Sequence, residues 1–140
     1  MRLRALIGGL ILPAAMMVPA YSQGGPNLTM TCHEMFRGAP SKEPTVYEIV
    51  GRDMYRTGYG RRVHISTEGK PLFLSKATDK GIETESFASH TLNGTRVTRT
   101  VYWRQVGGEM QPRFTEQFDF QAKTITSSTD KADRCHADGH

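Results

Sequence analysis

From Leu28 onward, hydrophobic and polar residues alternate with a period close to two, the spacing at which successive side chains leave opposite faces of a strand. Leu28, Met30, Cys32, Glu34 and Phe36 share one face of a first strand, with Thr29, Thr31, His33 and Met35 on the other, so Cys32 points to the more apolar side. Gly38-Ala39-Pro40-Ser41 breaks this run. Residues 45–50 read two ways. Thr45 with Glu48 makes a capping-box pattern, and Val46, Ile49, Val50 and Met54 fall at helical spacing. The β-branched content and Gly51 favour a strand.

Residues 55–62, rich in glycine, tyrosine and arginine, read as a loop. Short strands are expected at residues 63–66 and 72–75, on either side of Glu68-Gly69-Lys70-Pro71, and a fifth at 82–90. Asn93-Gly94 predicts a type I′ hairpin, whose two central residues need positive φ. A long strand over 95–106 alternates Val97, Arg99, Val101 and Trp103 against Thr98, Thr100, Tyr102 and Arg104, and Gly107-Gly108 turns it back. The return strand carries Phe114, Glu116, Phe118 and Phe120 on one side, and Pro112 confines its start to an edge or a bulge. A short strand at 124–128 closes the set, and residues 130–140 taper into a polar tail. The expected architecture is all-β: a small antiparallel meander of about seven or eight strands, closed or nearly closed into a barrel, with a curled open sheet as the second choice.

The first residues follow a different pattern. Arg2 and Arg4 precede an uncharged apolar run over 5–18, and Val18-Pro19-Ala20-Tyr21-Ser22 offers small residues to a signal peptidase after Ala20 or Ser22. The run is too short for a span of roughly 20 residues and is interrupted by Gly8, Gly9 and Pro13. Residues 1–22 therefore read as a cleaved signal peptide and 23–140 as one secreted domain, periplasmic or extracellular. Of the formal charge of +4, Arg2 and Arg4 account for two. The mature charge of about +2 argues against nucleic acid as the partner.

An oxidising compartment also suits the cysteines. There are two, Cys32 and Cys135, and a bridge between them would close a loop of about 100 residues and bring the first and last strands together. An intermolecular bridge or free thiols are the alternatives.

The chemistry offered elsewhere is thin. His33, His64 and His90 stand singly on separate strands, and Cys135, His136, Asp138 and His140 in a terminal tail lack the fixed ligands a metal site needs. Ser89 and His90 are adjacent but leave opposite faces of a strand, so they cannot exchange a proton. Glu83 and Glu85 share a face, as on any solvated strand. No catalytic, metal or cofactor site is assigned. The most distinctive cluster is Arg52, Tyr55, Arg56, Tyr59, Arg61 and Arg62, opposed only by Asp53. Guanidinium forks and tyrosine rings are suited to carboxylates and to protein partners. The aromatic residues Tyr102, Trp103, Phe114, Phe118 and Phe120 read as core, or as the lining of a ligand cavity.

The general plan, a signal peptide, a small β domain and a disulfide reaching the last strand, is similar to that of bacterial periplasmic lysozyme inhibitors of the membrane-bound and C-type kind. Their serine-glycine loop motif ending in tyrosine is not reproduced by Leu74-Ser75-Lys76-Ala77 or by Gly58-Tyr59-Gly60, so no residue roles are carried over. The expected function is that of an exported, non-enzymatic, inhibitor-like binding protein acting through its arginine and tyrosine loop on a protein or acidic partner. A small-ligand carrier using the barrel interior and an envelope structural component are the alternatives.

Overall fold

The computed structural model describes residues 27–136, so residues 1–26, with the signal peptide expected at 1–22, and the last four residues lie outside it. Eleven strands and no helix are found among the described residues. They are β1 (Leu28–Phe36), β2 (Ala39–Pro40), β3 (Thr45–Val50), β4 (Asp53–Gly58), β5 (Arg61–Glu68) and β6 (Leu72–Asp79), followed by β7 (Ile82–Asn93), β8 (Arg96–Gln105), β9 (Gln111–Asp119), β10 (Thr124–Ser127) and β11 (Cys135–His136). They form one strongly curled, open half-barrel in the order β10-β9-β8-β7-β5-β4-β3-β1-β11, with β2 on β1 and β6 on β7.

The expected loop at 55–62 is a hairpin. β4 and β5 pair in register from Tyr55 opposite His64 to Gly58 opposite Arg61, and Tyr59-Gly60 makes the turn with φ of 50° and 76°. Two positive φ values define type I′, whose twist matches that of the flanking strands; glycine supplies one without a Cβ clash and the tyrosine bears the other. Asn93-Gly94 also departs from expectation. Asn93 pairs with Arg96, so the two-residue turn is Gly94-Thr95, and only Gly94 has positive φ, at 66°. That is the type II′ arrangement, with glycine at the first central position. Residues 45–50 are strand rather than helix, as burial on alternate positions Thr45, Tyr47 and Ile49 requires. Pro112 sits at a bulge, where the β8–β9 register slips between Val101 and Tyr102.

The meander is broken once. β5 runs parallel to β7 at Thr67–Ser89 and Glu68–His90, while β6 pairs antiparallel with the other half of the same long strand. β7 is long enough to take two neighbours end to end along one side.

The core lies inside the curl, where Met30, Cys32, Tyr47, Ile49, Met54, Val97, Phe118, Phe120 and Ile125 pack together. Of the aromatic set expected as core, Phe118 and Phe120 are buried, and Tyr102, Trp103 and Phe114 are half-buried.

The barrel does not close with a ladder. Its two edges meet through one residue of the supposed tail: the Arg134 N–H donates to Ile125 O at 2.9 Å, and the Met35 N–H donates to Arg134 O at 2.9 Å. Asp133 Oδ1 accepts from the N–H groups of Ile125 and Cys135, at 2.8 and 3.0 Å, and so fixes the returning segment. A four-residue β10 and a two-residue β11 are too short to close the sheet by backbone pairing. Cys135 then lies opposite Glu34, and its thiol forms a hydrogen bond with that of Cys32. The first and last strands are side by side, with both cysteines buried.

Candidate functional site

The hairpin distributes the arginines and tyrosines of residues 52–62 over four places, as strand alternation and the turn demand. Tyr55 and Arg62 lie on the outer face, with the guanidinium 3.8 Å from the ring centroid and Arg62 Nε 3.5 Å from Glu48. His64 stacks on the same tyrosine at 5.1 Å and pairs with Asp53 at 3.0 Å. Arg52 belongs to the other end of β4, where its Nη2 donates to Glu68 O at 2.8 Å. Arg56 points inward, onto Glu34 at 3.0 Å. Only Tyr59 and Arg61 remain together at the exposed tip.

A second hairpin tip stands beside the first. β1 and β2 join through Arg37-Gly38, both of positive φ, with the Arg37 guanidinium 5.1 Å from the centroid of the Phe36 ring. Ser41 Oγ and Tyr59 Oη are hydrogen-bonded at 2.8 Å and tie the tips together. Phe36 and Tyr59 are 67% and 69% exposed, the two most exposed large hydrophobic side chains among the described residues. Between them lie hollows of about 230 and 410 Å³, the first reaching down to Glu34 and Arg56 and the second flanked by Pro40, Lys42 and Glu43. Phe36 belongs to a strand whose pattern reads as core, and only its place at the strand end shows that its ring leaves the barrel.

Beneath the tips a charged network crosses the open side of the half-barrel. Arg56 on β4 pairs with Glu34 on β1; Arg134 lies 4.0 Å from Glu34 and 2.5 Å from Glu116 on β9; Glu116 in turn pairs with Arg99 on β8 at 2.7 Å. Arg99 also donates from Nε and Nη2 to Ile65 O, at 3.0 and 2.9 Å. The Tyr47 hydroxyl donates to Glu34. Burial and the Glu34 carboxylate push that phenol above its ordinary range, so it stays protonated. Burial works against the charge on Arg56, but hydrogen bonds to Glu34 and Tyr47 outweigh it and raise the guanidinium above its usual value. Arg134 is raised in the same way by Glu116. These groups and Phe118 surround a cavity of about 170 Å³. The alternation put Glu34 with Met30 and Cys32, and Glu116 with Phe114 and Phe118, on the apolar faces of their strands, but no local pattern gives either carboxylate its arginine partners.

The other candidates resolve into structural pairs. Glu83 binds Lys76 at 3.6 Å and Glu85 binds Arg104 at 2.9 Å, so the two carboxylates are committed separately. Among the described residues no group of three or more histidine, cysteine or acidic side chains is placed to hold a metal. The partner of His90 is Ser66 rather than Ser89: Ser66 Oγ and His90 Nδ1 lie 2.6 Å apart, both residues buried, and His90 Nε2 has no partner among the described residues.

Burial lowers the His90 pKa, helped by Arg99 across the strand pair and opposed by Glu68 and Asp53. A histidine held neutral in the fold contributes its full stability above the unfolded value of about 6.5, and that contribution falls as the pH drops below it, because only the unfolded chain takes the proton. The free energy of urea unfolding is therefore expected to fall as the pH drops from about 7 through about 6.5, and to fall less in His90→Gln. An equal fall in the variant would remove His90 as the cause.

Scans against protein-family models, curated proteins and solved structures returned no match for this chain.

Proposed function

We propose that this protein is an exported, non-enzymatic binding module that engages a protein partner bearing acidic side chains through the paired hairpin tips. The observation that carries the reading is the exposure of Phe36 and Tyr59 beside Arg37 and Arg61 at one end of an otherwise ordinary surface. Exposed aromatic rings flanked by arginine have the composition of interface hot spots, and rigid type I′ turns present them at little cost in conformational entropy. The interface is thus narrower than residues 52–62: Tyr59 and Arg61 belong to it, Phe36 and Arg37 join it, and Arg52, Tyr55 and Arg62 stand elsewhere.

A carrier of bulky apolar ligands would need an aromatic-lined interior of several hundred Å³. Among the described residues the inside of the curl holds the cluster of Met30, Tyr47, Ile49, Met54, Val97, Phe118 and Ile125, and the cavity of about 170 Å³ beside it is lined mainly by charged groups. A hydrolase would need an uncommitted acid or nucleophile, whereas Glu34 and Glu116 are each shared between two arginines and Ser66 is buried.

Tagged mature protein and the triple variant Phe36→Ala, Tyr59→Ala, Arg61→Ala are compared for partners captured from the exported fraction of the producing cell. A partner retained by the wild type and weakened at least tenfold by the variant, with unchanged melting, is the expected result. Equal retention by both proteins would refute the surface. Export itself is read from the amino-terminal residue of the secreted form, expected near Gln23.

A further inference from the structure

The charged network is an alternating chain that begins and ends on arginine: Arg56, Glu34, Arg134, Glu116, Arg99. All five side chains line the same cavity, so the two ends of the chain, on β4 and β8, face one space across the curl. Three guanidiniums against two carboxylates leave this cavity one positive charge in excess. Tyr47 supplies no counter-charge, since its proton is engaged with Glu34. An uncompensated cation in a concave wall that also contains Phe118 and Ile65 concentrates the field at the cavity. An alternating ring of six would be complete and neutral with one more carboxylate.

We propose that the cavity is a receptor site for a single carboxylate, seated between Arg56 and Arg99. Arg56 gives one Nη2 bond to Glu34 and is the primary donor to the incoming carboxylate, while Arg99, whose Nε and Nη2 are engaged with Ile65 O and whose Nη1 is engaged with Glu116, contributes its charge and its remaining Nη hydrogens; the cavity, about 170 Å³, suits a small acid or one acidic side chain. A dianion is disfavoured, because Glu34 and Glu116 form part of the wall. Glu34 and Arg56 also line the hollow of about 230 Å³ that opens between Phe36 and Tyr59, so a group entering between the tips meets Arg56 first. The inference deepens the proposed function, since an acidic side chain of the partner would deliver that carboxylate, but the site can be tested without any partner.

The test is a titration of the isotopically labelled mature protein with acetate and with benzoate at constant ionic strength, followed by amide and arginine Nε–H resonances. Saturable shifts centred on Arg56, Arg99, Ile65 and Glu116 are expected. Arg56→Gln is expected to weaken binding about tenfold, the effect of losing one hydrogen bond between charged groups, and Lys76→Ala, on β6 and outside the cavity lining, to leave acetate binding unchanged. Should Arg56→Gln fail to fold, Arg56→Lys, which keeps the charge and loses the fork, is read in its place with a smaller loss. Absence of saturable shifts in the wild type, equal affinity in the folded Arg56 variant, or inorganic phosphate binding as tightly as acetate would overturn the assignment. The sources of the carboxylate separate cleanly: a small free acid binds the wild type in the absence of any partner and loses affinity in Arg56→Gln, whereas a partner's side chain is read as partner capture lost with both Tyr59→Ala and Arg56→Gln. Loss of partner capture in the tip variant alone, with no acetate site in the wild type, would leave the binding surface standing and remove only the receptor.

Discussion

Oxidation of Cys32 and Cys135 to a disulfide is expected to raise the melting temperature by on the order of 20 °C over the reduced protein. The chain-entropy model assigns a closed loop of about 100 residues roughly 4–5 kcal/mol, and each kcal/mol moves the melting point of a domain this size by about 4–8 °C. The loop contains every strand from β2 to β10, so the cross-link constrains almost the whole unfolded chain. The structure prepares the reaction. Cys32 holds its proton, pushed up by the hydrogen bond to Cys135 and by burial, while Cys135 is drawn below the ordinary thiol range, so Cys135 is the thiolate that attacks an external disulfide oxidant, releasing one thiol, and Cys32, on losing its proton, displaces the second thiol from the mixed disulfide. Differential scanning calorimetry with and without reductant, beside Cys135→Ser, measures the effect. Two free thiols in the denatured, unreduced secreted protein would show that the bridge does not form.

Arg134→Ala is expected to cost the reduced protein about 3 kcal/mol, near the low end for breaking a buried ion pair, because the arginine is partly open to water while Glu116 is not. The loss has two parts. Glu116 keeps only Arg99, and Glu34 keeps Arg56 and Tyr47, so a carboxylate chosen for a position between two cations is left half compensated. The seam also loses the side chain that spans it, since the backbone of residue 134 makes only one hydrogen bond to each edge. Amide exchange of Met35 and of residue 134 is expected to accelerate more than that of the core strands, because local opening at the seam becomes cheaper than global unfolding. Arg134→Met preserves bulk without charge, and a Met variant as stable as the wild type would remove the electrostatic clasp. With the disulfide formed, the same substitution is expected to cost less, the two devices being adjacent in sequence and acting on one seam.

Much of the fold was legible because period-two alternation is a property of each strand by itself. The face of β1 that carries Met30 and Cys32, the long β8 and its return in β9, and the bulge at Pro112 all follow from local pattern and backbone chemistry. The β4–β5 hairpin was not legible. Its turn places tyrosine where asparagine or aspartate is usual, and its inward positions alternate apolar Met54 with charged Arg56, so neither the turn signal nor the hydrophobic period marks it as strand. The polar tail was misread for a similar reason: Asp133, Arg134 and Cys135 have no periodicity of their own, and they are ordered only by edges that other strands supply.

The same division separates the candidate sites. The sequence alone marked most of the longer strands, the two cysteines at opposite ends, and a local excess of arginine and tyrosine, because each is a feature of composition or short-range order. Only the tertiary structure decided that the sheet stays an open half-barrel, that Arg56 faces inward while Tyr59 faces out, and that Glu34, Arg134 and Glu116 meet across the gap. Such contacts join residues distant along the chain, and their geometry depends on how far the sheet curls, a sum over every strand-to-strand twist that no local pattern records.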